Sequence, residues 1–136
     1  MLRYTLDWLR QRARELPRPW CLYVGLVAPH FPLVVDHEFF DLYPLADLPP
    51  VKLHPKDGFA RHPWVEKQNA FMDMELKFVD AQERLRAMAA YYGLCTWFDH
   101  SIGQIIATLG EEGLLDDTTI VYTSDHGDNV GARGLW

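Results

Sequence analysis

WCLYVGLVAPHFP, residues 20 to 32, opens as an unbroken apolar run and ends on a histidine between prolines. The apolar part, Trp20 to Ala28, has the length of a strand and is bounded by prolines on both sides. A short run of this kind fits a strand covered on both faces, as in sheets of α/β proteins. A second run, TTIVYTS at 118 to 124, is rich in β-branched residues and follows the polar turn residues Asp116 and Asp117.

Between the two strands the sequence reads as helical. From Gln82 to Leu109, Leu85, Met88, Ala89 and Tyr92 recur at i, i+3, i+4 and i+7, and Ile102, Ile105, Ile106 and Leu109 repeat the pattern. Cys95 and Phe98 continue the stripe, and Gly110 and Gly113 are natural stops. At about 1.5 Å per residue such a helix is roughly 40 Å long. Residues 65 to 80 are expected to be a further helix. Before the first strand, Leu2, Leu6, Leu9 and Ala13 predict an amphipathic helix over 2 to 16, stopped by Pro17 and Pro19. Residues 29 to 64 hold most of the prolines and histidines and read as ordered loop with a short helix at 36 to 42. Strand, helices, strand predicts an α/β fold, with a mostly parallel sheet flanked by helices.

Composition narrows the partners. The chain has 136 residues, 49% of them hydrophobic, and a formal net charge of −6. With no Lys/Arg stripe, nucleic acid is not expected as a partner. No window reads as a signal peptide or a membrane span. Cys21 and Cys95 lie in apolar stretches without a CxxC or zinc spacing, which predicts two buried free thiols.

Both strands end in chemistry-bearing residues. One reaches Pro29-His30-Phe31-Pro32, the other Ser124-Asp125-His126-Gly127-Asp128. In parallel α/β sheets ligands bind at the carboxyl ends of the strands, so His30 and the Asp125-His126 pair are expected to share one crevice. Asp125 and His126 are either a turn or two donors to a metal, a hard oxygen beside an imidazole nitrogen. His30 is either a surface residue held extended by its prolines or a rigidly presented proton donor. Asp128 reads as a loop group. His54 and His62 lie in the long loop, His100 and Asp99 within the long helix, and all four read more simply as structural.

Taken together, PWCLYVGLVAPHFPL, FDHSIGQIIATLGEEGLLDDT and TIVYTSDHGDNVGARGLW resemble the sulfatase family of the alkaline phosphatase superfamily. The resemblance covers about Pro19 to Trp136. It is strongest to choline-sulfatase-like and phosphonate monoester hydrolase-like members.

The resemblance implies a sandwich around a mixed sheet and a divalent metal, calcium or else manganese. It assigns Asp125 and His126 as metal ligands and His30 as a residue that contacts the sulfate or helps the leaving oxygen depart. It also implies a formylglycine nucleophile formed within a C-x-P-S-R type motif. Cys21 is followed by LYVG and Cys95 by TWFD, so neither fits that motif. The early Asp-Asp metal pair and the lysine beyond the GLW element are absent as well.

On this reading residues 1–136 are an interior part of one incomplete sulfatase-type catalytic domain, inactive in isolation. The parent would hydrolyse small-molecule sulfuric esters, with oligomerisation open. A phosphonate or phosphate ester hydrolase of the same superfamily and a non-catalytic vestigial domain are the alternatives.

Overall fold

Helix α4, Ala81–Glu111, is the element against which the rest of the chain packs in this computed structural model, which describes residues 1–73 and 75–136. Its start is fixed chemically. The Asp80 carboxylate accepts from Glu83 N–H at 2.8 Å, and Glu83 reaches back to accept from Val79 N–H. This reciprocal arrangement is a capping box displaced by one residue. Met88, Ala89 and Leu109 of the expected apolar stripe are buried, as is Leu94 beside it, whereas Ile106 of the stripe is 38% exposed. The helix runs through Gly110, and the stop falls at Gly113, whose φ of 62° suits a residue without Cβ.

Helix α1, Leu2–Gln11, crosses α4 near its C-terminal end. Leu9, Ala13 and Leu109 form the densest apolar cluster, joined by Trp8, Trp20, Leu22, Ile105 and Leu114. Arg10 closes its rim, 3.4 Å from the Thr108 hydroxyl and 3.7 Å from the Glu111 carboxylate. Helix α2, His37–Phe40, packs on the middle of α4 at Gly93. Helix α3, Pro63–Phe71, is capped by His62, whose Nδ1 accepts from Trp64 N–H at 3.1 Å. Single 3₁₀ turns stand at Leu45–Asp47, Pro55–Asp57, Glu75–Lys77 and Ala132–Gly134.

The expected sheet is not formed. Among the described residues there is no strand, and the architecture is helical. Residues 20–26 and 119–123 lie outside any regular element and, among the described residues, make no backbone hydrogen bonds to each other or to another segment. A strand exists only through a partner that takes up its N–H and C=O groups, and here neither run has one. Side chains of 119–123 face water, Val121 being 81% exposed, and in 20–26 Tyr23 is 90% exposed while Trp20 and Leu22 lie against the α1–α4 cluster. Cys21 is exposed for the same reason and Cys95 is half-buried, so the expectation of two buried thiols fails.

Helix 65–80 is also corrected. Helix α3 ends at Phe71, and the Asp73 carboxylate then accepts from Asn69 Nδ2 and from the Glu75 and Leu76 amides, replacing the helical acceptors. Met74, within the expected helix, lies outside the described residues.

Candidate functional site

Asp125 and His126 stand at the end of the exposed run 119–124, where the backbone turns. Their local bonds are well defined. His126 N–H donates to Asp125 Oδ1 at 2.9 Å, and the Ser124 hydroxyl donates to His126 C=O at 2.7 Å. That backbone N–H, helped by the neighbouring imidazole, holds the Asp125 carboxyl below the usual carboxylate range.

His126 Nδ1 lies 3.1 Å from Gly127 C=O, so Nδ1 carries a proton and donates it there. The other nitrogen, Nε2, faces Asp125 Oδ2 at 3.6 Å. In neutral imidazole that nitrogen bears a lone pair, and a carboxylate oxygen opposite it is repulsive unless a proton or cation lies between. A backbone carbonyl on the far ring nitrogen is also the usual support of a metal-ligating histidine. The side chains are 70% and 87% exposed, so both donors are accessible to an incoming ion.

These are two of the several donors a divalent cation needs. No group of three or more His, Cys, Asp or Glu side chains among the described residues is arranged to hold a metal ion. Asp128 does not join the pair through a hydrogen bond. Its backbone N–H points to the Tyr91 hydroxyl at 3.5 Å, while burial raises both the Tyr91 phenol and the adjacent Cys95 thiol.

His30 sits between two cis peptide bonds, Ala28–Pro29 and Phe31–Pro32. Its Nδ1 is 2.7 Å from Phe31 C=O and its ring lies against the Phe31 ring, 4.2 Å between centroids, leaving Nε2 toward solvent. The crevice expected to unite His30 with Asp125 and His126 depended on the absent sheet. Among the described residues no hydrogen bond or ion pair joins His30 to either one.

Sequence reasoning missed the most buried polar cluster. Glu75 and His54, each with a side chain 7% exposed, meet at 3.3 Å (Oε1 to Nε2). Arg84 Nη2 approaches the same Glu75 oxygen at 2.6 Å, and the Trp136 indole N–H donates to Oε2 at 2.8 Å. His54 Nδ1 accepts from Lys56 N–H, which leaves Nε2 as the protonated nitrogen facing the carboxylate. Nothing periodic links positions 54, 75, 84 and 136. The one local signal was the Asp80-x-x-Glu83 capping box, which marks where α4 and hence Arg84 begin.

This geometry defines a helical scaffold with an acid–imidazole pair at the end of an exposed, irregular segment. The chain belongs to the sulfatase family, whose model matches residues 1–136. It is 36% identical over 131 residues to a choline-sulfatase of Rhizobium meliloti (strain 1021), covering 93% of this chain and 25% of that protein. An arylsulfatase of Clostridium perfringens (strain 13 / Type A) is 34% identical over 128 residues, again 93% and 25% of the two chains. A multifunctional alkaline phosphatase superfamily protein of Trinickia caryophylli is 31% identical over 129 residues, 87% of this chain and 25% of that one. The chain thus spans about a quarter of the length of these relatives.

Proposed function

We propose that this chain contributes part of the metal site and a substrate histidine to a hydrolase of sulfuric esters that uses a divalent cation, calcium or manganese. One observation carries the reading: in a sulfatase-family chain, Asp125 Oδ2 and His126 Nε2 face each other at 3.6 Å with both side chains open to solvent. The names of two relatives, choline-sulfatase and arylsulfatase, favour the sulfur ester.

In this reading Asp125 and His126 hold the cation, with Gly127 C=O fixing the imidazole tautomer. When bound, the cation supplies charge stabilisation for the anionic oxygens of the ester. His30, with Nε2 free and Nδ1 engaged by Phe31 C=O, binds a sulfate oxygen or donates a proton to the departing oxygen. The nucleophile, a formylglycine in the parent, comes from neither Cys21 nor Cys95. Turnover by residues 1–136 alone is therefore not expected.

Assay of the longer protein on an aryl sulfate and an aryl phosphodiester tests the proposal. EDTA treatment and restoration with calcium or manganese belong to the same experiment. Faster sulfate ester cleavage, lost with EDTA and regained with metal, supports it. A strong preference for the phosphodiester, or full activity in EDTA, overturns it. Robust hydrolysis by residues 1–136 alone overturns the assignment of the nucleophile elsewhere.

A further inference from the structure

Residues 52–58 lie beside the start of α4, where Lys56, Asp57, Ala81 and Arg84 line one cleft of about 350 Å³. Every residue of this segment is exposed or half-exposed except His54, which is 6% exposed. Its hydrogen bonds stay within the segment. Asp57 N–H donates to His54 C=O, Gly58 N–H to Pro55 C=O and Lys56 N–H to His54 Nδ1, at 2.9 to 3.2 Å. Among the described residues one polar contact ties the segment to the rest of the chain, His54 Nε2 to Glu75 Oε1 at 3.3 Å. Leu53, next to this anchor, sits at φ 55°, a left-handed conformation that a bulky residue keeps only where its surroundings impose it. The segment is therefore a strained strap with a single buried anchor.

The anchor is an imidazole, the side chain whose ordinary change of charge falls between about pH 5 and 8. Its surroundings suit the neutral ring. Nδ1 serves as acceptor for Lys56 N–H, and a proton on that nitrogen would face another proton. Glu75 Oε1 is already taken by Arg84 of α4 at 2.6 Å, and Oε2 accepts from the Trp136 indole N–H at 2.8 Å. With a neutral ring the buried charges of Glu75 and Arg84 balance. With an imidazolium, one carboxylate faces two cations, and the charges of Lys56 and Asp57 stand exposed at the cleft and offset each other. A surplus charge on a side chain 7% exposed is costly, and swinging the ring into water removes the cost.

We propose that residues 52–58 form an acid-released strap, latched against Glu75 and α4 by the neutral imidazole of His54. Protonation unseats the ring, frees the Lys56 amide and lets Leu53 leave its strained conformation. Opening uncovers Glu75 and Arg84 and widens the cleft, whose apolar floor is Leu85 and Met88 of α4. This device is independent of the ester chemistry proposed above.

NMR of the ¹⁵N-labelled 136-residue chain between about pH 8 and pH 5 tests the strap. At the alkaline end the His54 ring is expected as the Nε2–H tautomer. On acidification the Lys56 amide should shift with the same midpoint as the ring nitrogens. Order parameters of residues 53–58 should fall from about 0.85 to below about 0.6, while α4 stays rigid. His54→Gln, which cannot gain the charge, should abolish the pH dependence, whether its strap rests closed or open.

Order parameters that hold or rise as the pH falls would mean that the ring does not unseat, and would overturn the proposal. A Lys56 amide that ignores the ring titration would do the same. So would a strap that still loosens in acid in His54→Gln.

Discussion

Glu75 and Arg84 form the shortest ion pair among the described residues, 2.6 Å from Oε1 to Nη2, with the Glu75 side chain only 7% exposed. The pairing is tight but not saturated. Arg84 Nε, His54 Nε2 and Glu75 Oε1 are buried without a partner in hydrogen-bond geometry, so at Oε1 the cluster is held by charge more than by directed bonds. Removing the carboxylate would strand a guanidinium, an imidazole and the Trp136 indole together. Glu75→Ala is expected to destabilise the chain by about 3 kcal/mol, the cost of leaving a buried charge uncompensated. Urea unfolding followed by tryptophan fluorescence measures it. A loss below about 1 kcal/mol, typical of a surface pair, would show that the cluster holds little together.

Two glycines of α4 make opposite predictions. A Cβ on Gly93 would meet the Phe39 carbonyl oxygen at 3.1 Å and its carbon at 3.2 Å, so α2 would have to move away. Gly93→Ala is expected to cost about 1–3 kcal/mol through overpacking. At Gly103 nothing lies within 4 Å, and there Gly→Ala should add about 0.5–1 kcal/mol by reducing the freedom of the unfolded chain. Thermal melts of the two single variants suffice. A shift in the same direction for both would contradict the packing assigned to α2.

The helices were legible because their signals are local. In α4 apolar residues recur at every third or fourth position, and the structure departs from that reading where the helix runs on past Gly110, where Ile106 is exposed and where Leu94 is buried. Trp20–Ala28 and Thr118–Ser124 misled for a physical reason. An apolar β-branched run states that a segment could be extended and covered, but pairing depends on a partner that is not written in the run. The abrupt change of polarity at Asp125 and His126 was legible in the sequence. The cluster of His54, Glu75, Arg84 and Trp136 was not, since its members come from four separate segments. Leu9 and Leu109 meet by the same non-local logic, although each could be read as apolar within its own helix.

Alkaline pH should weaken the fold through Cys95 and Tyr91. Burial raises both groups, because it disfavours thiolate and phenolate. The unfolded chain therefore releases these protons first. Their contribution is fully present below the ordinary thiol value of about 8.5 and is lost as pH rises through the folded-state values. Urea midpoints at about pH 7 and about pH 10 should fall less in the double variant Cys95→Ala, Tyr91→Phe than in the parent sequence. An equal fall in both would assign the alkaline loss to other groups.

His30 carries the last prediction, because its two roles respond differently to the leaving group. Its Nδ1 is engaged by Phe31 C=O, so only Nε2 can serve an incoming ester. A residue that donates a proton to the departing oxygen matters most when that oxygen is strongly basic, as in an alkyl sulfate, and little when it leaves as a nitrophenolate. In a complete sulfatase-type catalytic domain containing residues 1–136, His30→Gln should lower kcat/KM for an alkyl sulfate by about a hundredfold or more, the lower range for general acid catalysis. On nitrophenyl sulfate the loss should be several-fold smaller. A gene carrying the substitution and two substrates are all the comparison needs. Equal losses on both esters would mean that Nε2 holds a sulfate oxygen and that the proton reaches the leaving group from elsewhere.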